Sequence, residues 1–258
     1  MAERLWSIQK SPLFEKLTTD ELGELERHAR QRKFPRNSTI YLPDDAADWV
    51  YVVVEGRVRL ISITSDGKQA ILGFFEPGDL FGELAVAGID RHDHFAEAAL
   101  NSTIVSIPSS ILSDVMERNG ALSLAITRLI GWRRQRLERR LRNLLFHSNR
   151  ERLLALLYDL MQQYGRPSDG GVLIDIRLSH QDLASLIGVT RESVTLLLGE
   201  FQSEGLLKTG RQKVVILSPD RLARAAGEKP PEHSKPPLKE SIHLSRGSAI
   251  EKTSPRRG

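Results

Sequence analysis

At 258 residues, 40% of them hydrophobic and 27% charged, the chain can hold one large domain or two ordinary ones plus a tail, and can bury a core. The formal net charge of +4 and a pI near 9.4 lean mildly towards an anionic partner. The lack of cysteine excludes disulfides, thiolate-held zinc, cysteine-ligated iron–sulfur clusters and cysteine nucleophiles. Met1 to Gln9 do not read as a secretory signal, and no stretch approaches the ~20 apolar residues that span a bilayer. The expected setting is cytoplasmic, with no membrane partner.

In chain order, Thr18 and Thr19 followed by Glu21, Leu22 and Leu25 predict a capped helix from Thr19 to about Arg30. From Phe34 to Pro108 short β-rich runs recur over 50–54, 58–64, 69–75, 95–100 and 103–107. Turn residues separate them, among them Pro43-Asp44-Asp45, Glu55-Gly56 and Glu76-Pro77-Gly78-Asp79. Short strands at this spacing predict an all-β sandwich or barrel. Asp66-Gly67 predicts a hairpin, because its second position accepts positive φ.

From Ser110 to about His147 the pattern is helical. Ile130, Leu137 and Leu144 lie seven apart, with Leu141 four after Leu137, an apolar seam of the kind two parallel helices share. Gly120 and Gly131 weaken this helix, and a bend or break is expected near Gly120. Its arginines (128, 133, 134, 136, 139, 140 and 142) face one acid, Glu138. They read either as a solvated face or as a contribution to holding a polyanion. Asn149 is expected to cap a further helix carrying Leu153, Leu154, Leu156, Leu157, Leu160 and Met161, ending before Gly165. A strand over 172–178 follows the Asp169-Gly170-Gly171 turn, and another over 214–217 comes after two more helices. Residues 227–258, rich in Pro, Ser, Lys and Arg, read as a disordered basic tail, either inert or weakly DNA-binding.

The densest signal starts at Ser179. Ser179 and Asp182 form a capping box, and the helix they open carries Leu183, Ala184 and Ile187 on one face. Gly188 then supplies the left-handed turn, Val189 plugs it, and Thr190 caps a second helix with Val194, Leu197 or Leu198, and Phe201 on its buried side. A small residue, a turn glycine four later and apolar residues on the next helix are what a helix-turn-helix requires. The second helix of such a motif enters the major groove, here presenting Arg191, Glu192 and Thr195. Arginine can pair with guanine O6 and N7, and glutamate can accept from cytosine N4. Gln181 and the first helix's start, with Ser179, would approach phosphates; Lys208, Arg211 and Lys213 bracket a hairpin that forms either a basic wing or a solvated loop.

With these residues in place, the chain over about 11–218 resembles the CRP/FNR family of bacterial regulators. The resemblance rests on Ser11-Pro12-Leu13-Phe14, on Tyr51 to Val58 (YVVVEGRV), on Pro77 to Leu84 (PGDLFGEL) and on Val189 to Val194 (VTRESV). It implies an α+β chain: an N-terminal β-roll of the cyclic-nucleotide-binding kind (a double-stranded β-helix) over 1–109, a dimerisation helix over 110–147, a winged helix-turn-helix over 148–226 and the tail over 227–258. It further implies a non-enzymatic homodimer on a near-palindromic duplex site, with RNA polymerase as a partner. Arg191 and Glu192 fall on the family's base-contacting pair. Thr190 and Thr195 lie beside them, and Leu196 stands where an arginine is frequent, so the half-site is expected to differ there.

The sensor departs further. Around the Gly82-Glu83-Leu84 element the family's cyclic-AMP binders use Glu83's position for a ribose hydroxyl, and an Arg-Ser pair for the phosphate. That pair corresponds by position to about Asp93-His94, where an aspartate would repel phosphate, with Arg91 as a substitute. The resemblance thus implies an effector other than cyclic AMP, of unknown identity, or none. His92 and His94 read either as solvated residues of a surface hairpin or as haem or metal ligands. No further metal site, phosphate loop or Ser/His/Asp arrangement is visible. The competing class is an effector-binding module that acts on a protein partner without DNA.

Overall fold

The structure, a computed structural model, describes residues 11–67, 69–210 and 212–228. Arg211, and the expected tail from residue 229 onward, lie outside the described residues. After a short 3-10 turn at Pro12–Phe14, helix α1 (Thr19–His28) is closed at its start by a capping box. Thr18 Oγ1 accepts from the Glu21 amide and the Glu21 carboxylate accepts from the Thr18 amide. It ends two residues before the expected Arg30, because Arg30 opens strand β1 (Arg30–Phe34). That strand has four exposed residues out of five and no apolar alternation, so its pattern did not announce it.

Seven more strands complete the β-region: β2 (Thr39–Tyr41), β3 (Trp49–Glu55), β4 (Val58–Ile63), β5 (Gln69–Phe75), β6 (Leu80–Phe81), β7 (Phe95–Ala98) and β8 (Ser102–Pro108). They form two antiparallel four-stranded sheets, in orders β1-β8-β3-β6 and β2-β7-β4-β5. Strands β2 and β6, two or three residues long, are too short for a period to show. The two sheets enclose Tyr41, Tyr51, Val53, Phe75, Phe81 and Ile104. Strand β3 is buried on both faces. Tyr51 and Val53 point into the roll, whereas Val50, Val52 and Val54 pack against helices, which explains its unbroken apolar run.

The expected break near Gly120 is present. Helix α2 (Ser109–Arg118) stops at Asn119, whose side chain accepts from the Leu122 amide and so caps helix α3 (Gly120–Phe146). Leu122 and Ile126 lock the start of α3 into the core behind β3, together with Leu13, Phe14 and Leu25. Helix α4 (Asn149–Tyr164) is capped by Ser148 with Glu151, not by Asn149. Serine one residue earlier can close a reciprocal box with a glutamate at the third helical position, which Asn149 cannot.

Beyond it lie β9 (Gly165–Ser168), β10 (Gly171–Ile174), α5 (His180–Ile187), α6 (Arg191–Ser203), β11 (Leu207–Gly210), β12 (Lys213–Ile216) and α7 (Pro219–Ala225). The strand expected over 172–178 is shorter. Ile176 and Leu178 are buried in the core beneath α5 but lie off the ladder, so their apolarity reflects burial, not pairing. The third sheet has order β11-β12-β10-β9. Leu153, Leu157, Leu183, Ala184, Val194 and Phe201 form the centre of this second core.

Candidate nucleic-acid interface and roll interior

The helix-turn-helix is built by local rules that its own residues satisfy. Ser179 Oγ accepts from the Asp182 amide, and Asp182 Oδ2 accepts from the Ser179 amide at 2.8 Å. Gly188 ends α5 at φ 69°, where any side chain would be strained. Ala184 is fully buried between the helices, as a close crossing demands. Thr190 Oγ1 accepts from the Ser193 amide and starts α6. Of the two candidates for its buried side, Leu198 is buried and Leu197 packs only partly against the core.

This places Arg191, Glu192, Thr195 and Leu196 on one exposed face, with Gln181 exposed on α5 beside it. Ser179, His180, Gln181, Arg191 and Lys213 line a groove between the two helices and the β11–β12 wing. Lys208 and Lys213 are exposed on that wing, Lys213 beside Gly210 across the ladder. His180, which the sequence reading passed over, hydrogen-bonds through Nδ1 to Thr195 Oγ1 at 2.8 Å. Its place in the first turn of α5, one residue after a cap, was the signal available for it.

The motif is docked on the β-roll. Arg59 of β4 lies 3.6 Å from Asp182, the carboxylate of the capping box, and Arg57 donates to the Arg177 carbonyl at 3.5 Å. Phe75 of β5 points into the roll while Phe74 packs against the helix-turn-helix core.

Inside the roll, the histidine reading needs correction. His92 is buried, its ring stacked on Tyr41 at 3.6 Å, and His94 is half-buried with Nε2 3.2 Å from the Tyr41 hydroxyl. Neither is a solvated hairpin residue: both rings pack against Tyr41. Among the described residues no group of three or more His, Asp or Glu side chains is placed to hold a metal ion. Burial holds both imidazoles below their ordinary pKa, His92 further through the neighbouring His94. Burial likewise raises Tyr51, to about 12.

Asp93 is exposed and Arg91 turns outward to donate to the Asp44 carbonyl at 2.6 Å, so the side chains this loop sends inward are His92 and, in part, His94. Leu84 is exposed, and Gly82 is left-handed (φ 73°) with its missing Cβ 3.0 Å from Tyr51. Glu83 is buried and ion-paired with Arg133 of α3, which also donates to the Leu80 carbonyl and lies over Phe75.

Arg133 therefore departs from the solvated-face reading of the helix arginines. Arg140 does too, donating to the Leu72 carbonyl at 2.5 Å, where burial pulls its guanidinium down to about 10. Arg128, Arg134, Arg139 and Arg142 are exposed. On the same helix Leu137, Leu141 and Leu144 are 53%, 56% and 44% exposed, followed by Leu145 and Phe146. Ile130, by contrast, is half-buried against the chain's own core, so it supports α3, and Leu144 lies beside the Gly188 turn, while Leu137 and Leu141 are the more open pair.

Two family models match the chain: a cyclic nucleotide-binding domain over residues 31–119 and a Crp-like helix-turn-helix domain over 151–225. The global nitrogen regulator of a Nostoc species is 29% identical over 193 residues, 74% of this chain and 86% of that protein. The fumarate and nitrate reduction regulatory protein of Escherichia coli is 27% identical over 212 residues, 82% of this chain and 84% of that protein. A CRP-family transcriptional regulator from Thermus thermophilus superimposes with a TM-score of 0.63 at 26% identity, covering 78% of this chain and 98% of that one. A CooA mutant from Carboxydothermus hydrogenoformans shares the fold at a TM-score of 0.72 and 20% identity, over 86% and 99% of the two chains. The chain belongs to the CRP/FNR family of DNA-binding transcription regulators.

Proposed function

We propose that the chain acts as a homodimer on a near-palindromic duplex site, with α6 of each protomer in the major groove. The observation that carries this is the exposed Arg191–Glu192 pair at the start of a capped helix, beside an open groove and a wing bearing Lys208 and Lys213. Arg191 pairs with guanine and Glu192 accepts from cytosine, while Ser179, Gln181, Thr190 and the wing lysines position the backbone. Arg211 belongs to the same wing by sequence. The three exposed leucines of α3 supply the seam for the second protomer. Two recognition helices on one symmetric dimer then read half-sites about one DNA turn apart.

The β-roll takes an effector other than cyclic AMP. The loop that would supply a guanidinium to a cyclic phosphate sends in His92, which burial keeps neutral, and Arg91 is engaged with Asp44 outside. An effector acts by shifting the population of α3 arrangements, since α3 touches both the roll and the partner protomer's seam. RNA polymerase is the protein partner that the family membership suggests, and the chain works as a regulator in the cytoplasm without catalysing a reaction. Binding of the full chain to duplex DNA with a steep loss of affinity on adding salt tests the reading. A chain that binds no duplex at any salt concentration overturns it.

A further inference from the structure

Resting on the placement of α6 in the major groove, we propose that the chain reads thymine methyl groups through a pair of side chains, Thr195 and Leu196, with His180 as the residue that holds the Thr195 hydroxyl away from the bases. A threonine on a recognition helix offers two different surfaces, a hydroxyl that can pair with any base and a methyl that meets only the thymine C5 methyl. Here the hydroxyl is taken. Its hydrogen goes to the Arg191 carbonyl at 2.9 Å, a back-bond common in helices. The second contact is less ordinary, because it comes from another helix: His180 Nδ1 of α5 at 2.8 Å. Since the Thr195 hydrogen is already donated, Nδ1 carries the hydrogen in this contact and Thr195 Oγ1 accepts it.

Thr195 is thus left with no hydrogen to give a base and a single open lone pair, which leaves its methyl as the larger surface it has to offer the groove. Leu196 beside it is 66% exposed, with no polar atom. A single exposed leucine is unremarkable on a protein surface. This one, however, shares a face with Arg191, Glu192 and the masked threonine. The face is therefore half polar, for a guanine·cytosine pair, and half apolar. The base with a methyl in the major groove is thymine, so the half-site carries thymines at the two base pairs next to that guanine·cytosine pair.

The test starts from duplexes selected from a random pool by the full-length protein. Thymines are expected at those two positions. Replacing each by deoxyuridine removes only the methyl and is expected to weaken binding about fourfold per methyl, the scale of burying one such group. Thr195→Val keeps the methyl surface and is expected to retain the preference for thymine over deoxyuridine, whereas Thr195→Ser loses it. His180→Ala frees the hydroxyl to turn and reduces the preference at the same base pair. Leu196→Ala abolishes it at the neighbouring one. Equal affinity for thymine and deoxyuridine sites overturns the proposal, as does a preference that Ser keeps and Val loses. Salt-sensitive binding without any selected site sinks this proposal alone. Loss of all duplex binding sinks the DNA-binding reading with it.

Discussion

The recognition helix and the interior of the β-roll handle their polar side chains in opposite ways. On α6, Arg191 and Glu192 are exposed, and Arg191 lines the groove beside the wing. Inside the roll, Tyr41 stacks on His92 and hydrogen-bonds His94, and Glu83 pairs with Arg133, although the buried His92 Nε2 has no hydrogen-bond partner among the described residues. A surface meant for an outside partner keeps its groups free, because each bond made within the chain must be broken before binding. An interior pairs its charges from within, because an unpartnered buried charge is costly. Helix α3 joins the two regimes, with Arg133 and Arg140 turned to the roll and Leu137, Leu141 and Leu144 turned outward.

The strongest way to break this contrast is on α3's outer face. Leu137→Glu places charges at the centre of the seam and is expected to give a monomer by sedimentation that loses specific, two-half-site binding. A variant that stays dimeric contradicts the seam. Inside the roll, Arg133→Ala leaves Glu83 buried without its partner and should cost about 3 kcal/mol in denaturant unfolding. The double variant Arg133→Ala with Glu83→Ala should recover part of that loss, since no charge is then left unpaired. A stability unchanged by the single substitution would mean the pair is solvated.

On the open surface, Arg191→Ala should leave folding untouched and cost about 1–3 kcal/mol of binding, with relaxed preference at one base pair. Equal loss on every sequence would reassign Arg191 to the phosphates. The histidines allow a pH test of the interior. Their folded-state pKa values are lowered, so below about pH 6.5 the unfolded chain binds protons that the folded chain does not. Stability is therefore fully present above that pH and is lost as pH falls towards the folded values. Melting temperatures between pH 8 and 5 should show this acid loss, and His92→Phe, which keeps the stack without titrating, should blunt it. The smallest effect belongs to the cap: Ser179→Ala should cost about 1 kcal/mol, read by thermal melting.

Much of the architecture was legible because it obeys short-range rules. The boxes at Thr18 and Ser179, the turn at Gly188, the break before Gly120 and the strand runs of the roll all follow from neighbours within a few residues. The misses also have physical causes. Strand β1 is a basic edge whose partner, β8, lies seventy residues away, so its pairing leaves no local period. Ile176 and Leu178 are apolar because they are buried, which a strand pattern imitates. The two histidines looked like hairpin surface because the residue that covers them, Tyr41, comes from β2, fifty residues earlier.

The division that emerges is one of range. By itself the sequence determined the helix-turn-helix, which side of its second helix stays exposed and the β-rich character of the first half, since caps, turns and period need only adjacent residues. The tertiary structure alone decided which of Arg91, His92 and Asp93 faces inward, that Arg133 pairs with Glu83, and that His180 takes up the Thr195 hydroxyl. Each of these joins residues from different elements, and which of several chemically able partners meets a given side chain is settled only when the layers pack.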